Sequence, residues 1–163
     1  MKICLSSYIE KLFMVVFKKN VLMITEISLH VPNRPGQFAR TLKSLAKGNV
    51  NVLAFAIDQA GVYSIMRLVC HPLDKAVEQL QKYAYSIVQE RLFAIPIPQE
   101  SGKLQPVTEL FGKNDINIEY GYLTLRPGTN EAIVLLKTDD DEKEKIARKL
   151  LIENGCEDLD DLT

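Results

Sequence analysis

Asn33-Arg34-Pro35-Gly36-Gln37-Phe38 is the stretch of this chain best equipped to hold a small ligand. An apolar, strand-like run ends at Val31-Pro32, and Phe38, Leu42 and Leu45 then recur at helical spacing. The stretch therefore falls at a strand-to-helix joint. A helix N-terminus presents unpaired N–H groups and a partial positive charge, which suit a carboxylate. Gly36 allows close approach of the backbone to a ligand, and Arg34 and Gln37 share the joint. An asparagine amide both donates and accepts, so Asn33, and Asn51 at a spacing of 18, can take a hydrogen bond from an ammonium and give one to a carboxylate. That pairing suits an amino-acid zwitterion. The plain alternatives are that Asn33 caps the helix and Asn51 satisfies a strand edge.

Other chemistry has less to work with. The 3 cysteines, Cys4, Cys70 and Cys156, and the 2 histidines, His30 and His71, lack the spacing of a metal or redox site. No nucleophile–base pair or phosphate loop is visible, so neither a cofactor nor an enzyme activity is expected. With 20 Lys and Arg against 21 Asp and Glu, the net charge of -1 carries no footprint for nucleic acid. Residues 92–163 hold 15 acidic and 8 basic residues, read as a solvated acidic surface. RNA binding on a sheet would want aromatic residues on central strands, and Tyr120 and Tyr122 are the only suggestive pair.

The joint occurs twice. Val31–Phe38 aligns with Ile97–Leu104 at an offset of 66, which continues without a gap to Asn51 above Asn117. Pro32/Pro98, Gly36/Gly102, Lys47/Lys113 and Asn51/Asn117 are identical and fall at equivalent points of one unit. Gln99, Gly102 and Asn117 become the second copy's candidates, although Gln99 also reads as an ordinary turn residue.

The elements that must position these residues are legible in outline. Met23–Val31 reads as a strand, a helix follows Pro35, and Gly48-Asn49 closes it. Val50–Asp58 and Tyr63–Cys70 form a hairpin across Ala60-Gly61, with Val52, Ala54 and Ala56 on one face and Leu53, Phe55 and Ile57 on the other. Pro72 opens a helix with Ala76, Val77, Leu80 and Ala84 buried, and Ser86–Glu90 is the fourth strand. The second copy runs from Leu92–Ile97 through a helix to Ile116–Leu125 and Ala132–Lys137, a hairpin across Arg126-Pro127-Gly128. Thr138 and Asp139 can cap its last helix, and a short strand lies near Cys156–Leu159. The fold class is α+β: two βαββαβ units of ferredoxin-like type with antiparallel sheets. The domains read as an extension over 1–22, one unit over 23–91 and another over 92–163. Small units with open sheet edges should pair, so a homodimer is expected.

The joint, with the Gly48-Asn49-Val50-Asn51-Val52 that follows it, resembles the ACT domain, a small amino-acid-binding regulatory module. The paired copies are similar to the stand-alone tandem ACT proteins of bacteria and archaea. Asn33 and Asn51 match the asparagines that hold serine in the regulatory domain of phosphoglycerate dehydrogenase, with Val31 in place of a histidine of that site. In the second copy Gln99 replaces Asn33 and Ser101 replaces Pro35. The resemblance implies a non-catalytic sensor that binds a small amino acid where the joint meets a neighbouring ACT unit. The binding residues it implies are Asn33, Arg34, Gly36, Gln37, Asn51, Gln99, Gly102 and Asn117. It implies, as an alternative, a regulatory subunit of a separate metabolic enzyme, similar to the small subunit of acetohydroxyacid synthase. Leu12–Phe17 is apolar but far shorter than the roughly 20 residues that cross a bilayer, so no membrane contact and a cytoplasmic location are expected.

Overall fold

The computed structural model describes residues 20–83, 86–125 and 128–159. These form β1 (Asn20–Pro32), α1 (Gln37–Lys47), β2 (Asn51–Ala60), β3 (Tyr63–His71), α2 (Leu73–Gln81) and β4 (Ser86–Pro98). They continue as α3 (Gln105–Lys113), β5 (Ile118–Leu125), β6 (Glu131–Thr138), α4 (Asp141–Glu153) and β7 (Glu157–Leu159). The chain divides into two compact units, Thr25–Arg91 and, for the other, Met1–Ile24 with Leu92–Thr163. Ala84, Arg126, Pro127 and most of the N-terminal extension lie outside the described residues.

In the first unit the strand order is β2-β3-β1-β4, with β3 antiparallel to both β1 and β2. Alternate residues of a strand face opposite ways, and here Ile27, Leu29 and Val31 of β1 meet Met66, Leu68 and Cys70 of β3 in one core. Leu45 of α1 and Ala76 and Leu80 of α2 close that core from the helical side. The helices cross closely at Gly48, where an added Cβ would lie 2.5 Å from Gln79 Cγ. Ser44 Oγ reinforces the crossing by donating to the Gln79 carbonyl at 3.2 Å.

A bulge corrects the face assignment expected for β2. The register steps from Val52↔Cys70 to Ala54↔Val69, so Leu53 has no partner on β3. The extra residue reverses the alternation. Val52 therefore shares a face with Phe55 and Ile57, which stand opposite Leu68 and Met66 although exposed themselves, rather than with Ala54 and Ala56. β5 has the same bulge at the equivalent position, between Ile118↔Thr138 and Tyr120↔Lys137.

The second unit orders its strands β5-β6-β4-β1, and β7 pairs in parallel with β1 through Asn20↔Glu157, Val21↔Asp158 and Leu22↔Leu159. Its core joins Val21 and Met23 of β1 to Phe93, Ile95, Val134 and Leu136, under Phe111 of α3 and Ala147 and Leu151 of α4. Phe93 and Phe111 meet edge to face at 5.9 Å between centroids.

Three expectations change. Ser86–Glu90 and Leu92–Ile97 form a single strand, β4, because nothing in Glu90-Arg91-Leu92 breaks an extended chain. β1 starts at Asn20 rather than Met23, and its first residues belong to the second unit's core. Asp140, not Thr138 or Asp139, caps α4, its carboxylate accepting from Lys143 N–H at 2.6 Å. Thr138 is instead buried at the end of β6. No helix among the described residues is long and apolar enough to cross a membrane.

Candidate functional site

The first joint is held open at the top of the first unit. Pro32 ends β1 opposite Tyr63, and the Asn33 N–H donates to the Val62 carbonyl at 3.0 Å, fastening the joint to the β2–β3 hairpin. Gly36 adopts φ 81°, a left-handed backbone that side chains rarely tolerate, and space beyond it is open. It is also the N-cap of α1, with no side chain capping the helix. Asn33 is thus not the cap.

The consequence is a set of unused donors. Gln37 N–H reaches the Arg34 carbonyl at 3.2 Å and Arg40 N–H reaches the Gly36 carbonyl at 3.0 Å. Among the described residues, no acceptor takes the N–H groups of Gly36, Phe38 and Ala39. They border a cavity of 290 Å³ formed by Pro32, Asn33, Arg34, Gly36, Gln37, Phe38 and Ala39 from the joint and Ile57, Ser64 and Met66 from the sheet. Such a volume is at the small end for ligand pockets, which run about 300–1,000 Å³.

The sheet side was not foreseen from sequence. Ser64 stands opposite Val31, and Met66 opposite Leu29 and Ile57. Ser64 is only 6% exposed, yet its hydroxyl makes no hydrogen bond among the described residues. Met66 is steadied by Thr41, whose Oγ1 lies 3.8 Å from its sulfur and 3.2 Å from the Gln37 carbonyl. Phe38, which lines the cavity, packs on Phe55 with centroids 5.0 Å apart. No local motif marks Ile57, Ser64 or Met66, because strand register alone brings them under the joint.

Arg34 is the only formally charged side chain in the lining, and it has no ion pair among the described residues. Unused N–H groups at a helix start beside an arginine have the donors and the charge that suit a carboxylate. Asn33, Arg34, Gly36 and Gln37 are thus brought together. Asn51 is not among them. It opens β2 opposite His71, whereas Asn33 bonds to Val62 at the other end of β3. Nine strand residues separate those ends, roughly 30 Å.

The second joint repeats the frame, and the Gly102 and Leu104 N–H groups also have no acceptor among the described residues, but Gln105 N–H, the counterpart of Ala39, donates to the Gly102 carbonyl at 3.3 Å. Gly102 has the same φ of 81°, Gln99 N–H donates to the Asn130 carbonyl at 2.9 Å, and Lys103 N–H donates to the Glu100 carbonyl at 3.3 Å. Glu100 replaces Arg34 at this offset and pairs with Lys103 at 3.3 Å. Ala132, opposite Ile97, occupies the place that Ser64 has opposite Val31. Asn117 is exposed, just before β5.

Other reactive groups are spoken for. Burial pushes the Cys70 thiol up to about 12 and lowers the pKa of His71, which does not make a nucleophile–base pair. On the opposite face of the first unit's sheet, Glu26 is wholly buried, accepts from Ser28 Oγ at 3.2 Å and lies 3.8 Å from Arg67, which also bonds Asp58. No group of 3 or more metal-ligating side chains occurs among the described residues.

A family model described as an ACT domain pair matches residues 22–161. No curated protein matches the chain. Among solved structures, protein BT0572 from Bacteroides thetaiotaomicron is similar, with 23% identity and a TM-score of 0.74 over 83% of this chain and 90% of that one. The ligand-free regulatory subunit of aspartate kinase from Thermus thermophilus aligns with 16% identity and a TM-score of 0.58, over 83% of this chain and 97% of that one. At these identities the likenesses speak for the fold.

Proposed function

The chain belongs to the ACT domain pair family, and on that premise we propose that it is a non-catalytic sensor that binds one free amino acid in the cavity of its first joint. The observation that carries this reading is the trio of unused N–H groups at Gly36, Phe38 and Ala39 facing the same cavity as the unpaired Arg34. They receive the α-carboxylate, while Asn33 Oδ1 and Ser64 Oγ accept from the ammonium group. The second joint, with Glu100 in place of Arg34, stays empty. Exposed Phe55 and Ile57 on edge strand β2, and Leu123 and Leu125 on edge strand β5, support pairing of two copies. The Cys70 thiol, buried and outside any disulfide, suits the reducing cytoplasm.

A second reading keeps this site but gives it an output: the chain acts as a regulatory subunit of a separate metabolic enzyme. It is supported by the likeness to the aspartate kinase regulatory subunit, which spans 97% of that protein. Co-purification of a catalytic chain would favour it.

A thermal-shift screen of the twenty common amino acids tests the site. At ligand about 100 times Kd, binding adds roughly 2.7 kcal/mol, or on the order of 5 to 11 °C for a chain of this length. A flat response to every amino acid removes the sensor reading.

A further inference from the structure

We infer that the amino acid this cavity takes has an uncharged, apolar side chain, and that Ser64 is the residue which fixes its amino group. This rests on the sensor reading above and narrows its ligand.

The cavity is divided by chemistry. Its polar groups are at the joint and at Ser64, toward the hairpin end of β3. Its floor is the cross-strand pair Ile57↔Met66, and Phe38 stands on the helical side. Ser64 and Met66 share a face of β3 two positions apart, about 7 Å. That spacing separates the backbone groups of a bound amino acid from its side chain. With its carboxylate on the α1 N–H groups and its ammonium at Ser64, the side chain runs over Ile57 and Met66.

Charge decides the class. The lining contains no carboxylate, so a lysine or arginine side chain has no partner there. Arg34 is its single cation and is engaged by the α-carboxylate, so an aspartate or glutamate side chain would have none either. A charge set against half-exposed Ile57 and buried Met66 would be partly desolvated without a compensating partner, which is unfavourable. An apolar side chain gains from the same surfaces.

Ser64 carries the other half. Its hydroxyl has no hydrogen-bond partner among the described residues, and although the residue is only 6% exposed the oxygen is not closed off, so a bound ammonium can reach it from the cavity. The second unit supplies the contrast: where Glu100 reverses the charge of Arg34, Ala132 also removes the hydroxyl.

Isothermal titration of the full chain with leucine, isoleucine, valine, methionine, glycine, lysine and glutamate tests the class. The apolar four should bind at least about tenfold tighter than the rest, since one methylene in an apolar pocket changes affinity about 10- to 200-fold. Ile57 is 42% exposed, so Ile57→Glu should fold and move the preference toward lysine. Ser64→Ala should weaken leucine about tenfold or more, yet leave unchanged the binding of 4-methylpentanoate, which is leucine without its amino group. Tightest binding of lysine or glutamate would overturn the assigned class and leave the sensor reading standing. Equal losses for leucine and 4-methylpentanoate in Ser64→Ala would overturn the role of Ser64. If none of the seven binds while another amino acid does, the class is again wrong. If no amino acid binds, the sensor reading fails and takes this inference with it.

Discussion

Asn49 and Asp115, 66 residues apart, hold the same left-handed backbone, with φ of 53° and 55°. Each ends a helix in the same way. Val50 N–H reaches back to the Leu45 carbonyl at 3.1 Å, and Ile116 N–H to the Phe111 carbonyl at 3.0 Å. Asparagine and aspartate are among the few non-glycine residues that tolerate this conformation. Below the helix ends, the two units have therefore kept the same turn while diverging at the joints above.

That divergence should show in stoichiometry. Calorimetric titration should give one amino acid per chain, because Glu100, bonded to Lys103, repels a carboxylate where Arg34 attracts it. Two equivalent sites per chain would show that the second joint binds despite its charge.

Within the first joint, Arg34→Ala removes charge-assisted hydrogen bonds worth roughly 1.5 to 3 kcal/mol, so affinity should fall about ten- to 150-fold. Asn51→Ala should change it by less than about threefold, given the length of β2 that separates Asn51 from this cavity. A loss from Asn51→Ala as large as that from Arg34→Ala would place Asn51 of a second copy in the site.

Truncation distinguishes two starting points. A chain beginning at Met23 lacks Val21 and Leu22, which are 1% and 2% exposed and pair with β7. Burying each contributes about 1.5 to 3 kcal/mol. Such a chain should melt several degrees below one beginning at Asn20. Equal melting temperatures would show that β7 and the start of β1 contribute little.

Alkaline stability should report Cys70. Burial raises its thiol from 9.0 to about 12, so the folded chain holds that proton more tightly than the unfolded one. The stabilisation is whole below the unfolded value and is lost as pH climbs toward the folded one. Between pH 9 and 11, urea unfolding of wild type should therefore lose stability faster than Cys70→Ala, by up to about 1.4 kcal/mol per pH unit. Parallel curves would mean the thiol titrates normally.

Light scattering addresses assembly. A pair of chains should weigh about twice 18.4 kDa at micromolar concentration. A mass of one chain would leave the exposed apolar residues of β2 and β5 without the expected role.

The repeat, both hairpins, the α+β class and the strand-to-helix joint were legible in the amino-acid sequence, because each is written locally. Apolar periodicity sets strand and helix, Gly36 and Gly102 permit the left-handed turn, and the offset of 66 exposes the duplication. Four of the candidate residues, Asn33, Arg34, Gly36 and Gln37, meet at one cavity because they are neighbours in the chain. The rest depended on contacts between distant segments. The bulge at Leu53 inverts the faces of β2, and no local pattern announces it. Ile57, Ser64 and Met66 reach the joint only through the registers of β2 and β3, and Asn51 is carried away by the same strands. Val21 and Leu22 look like the end of an extension, yet in the fold both pair with β7 and are buried, Val21 within the second unit's core. Which side chains share a cavity is fixed by strand register, and register is set by the packing of whole faces against one another, so it exists only in the folded chain.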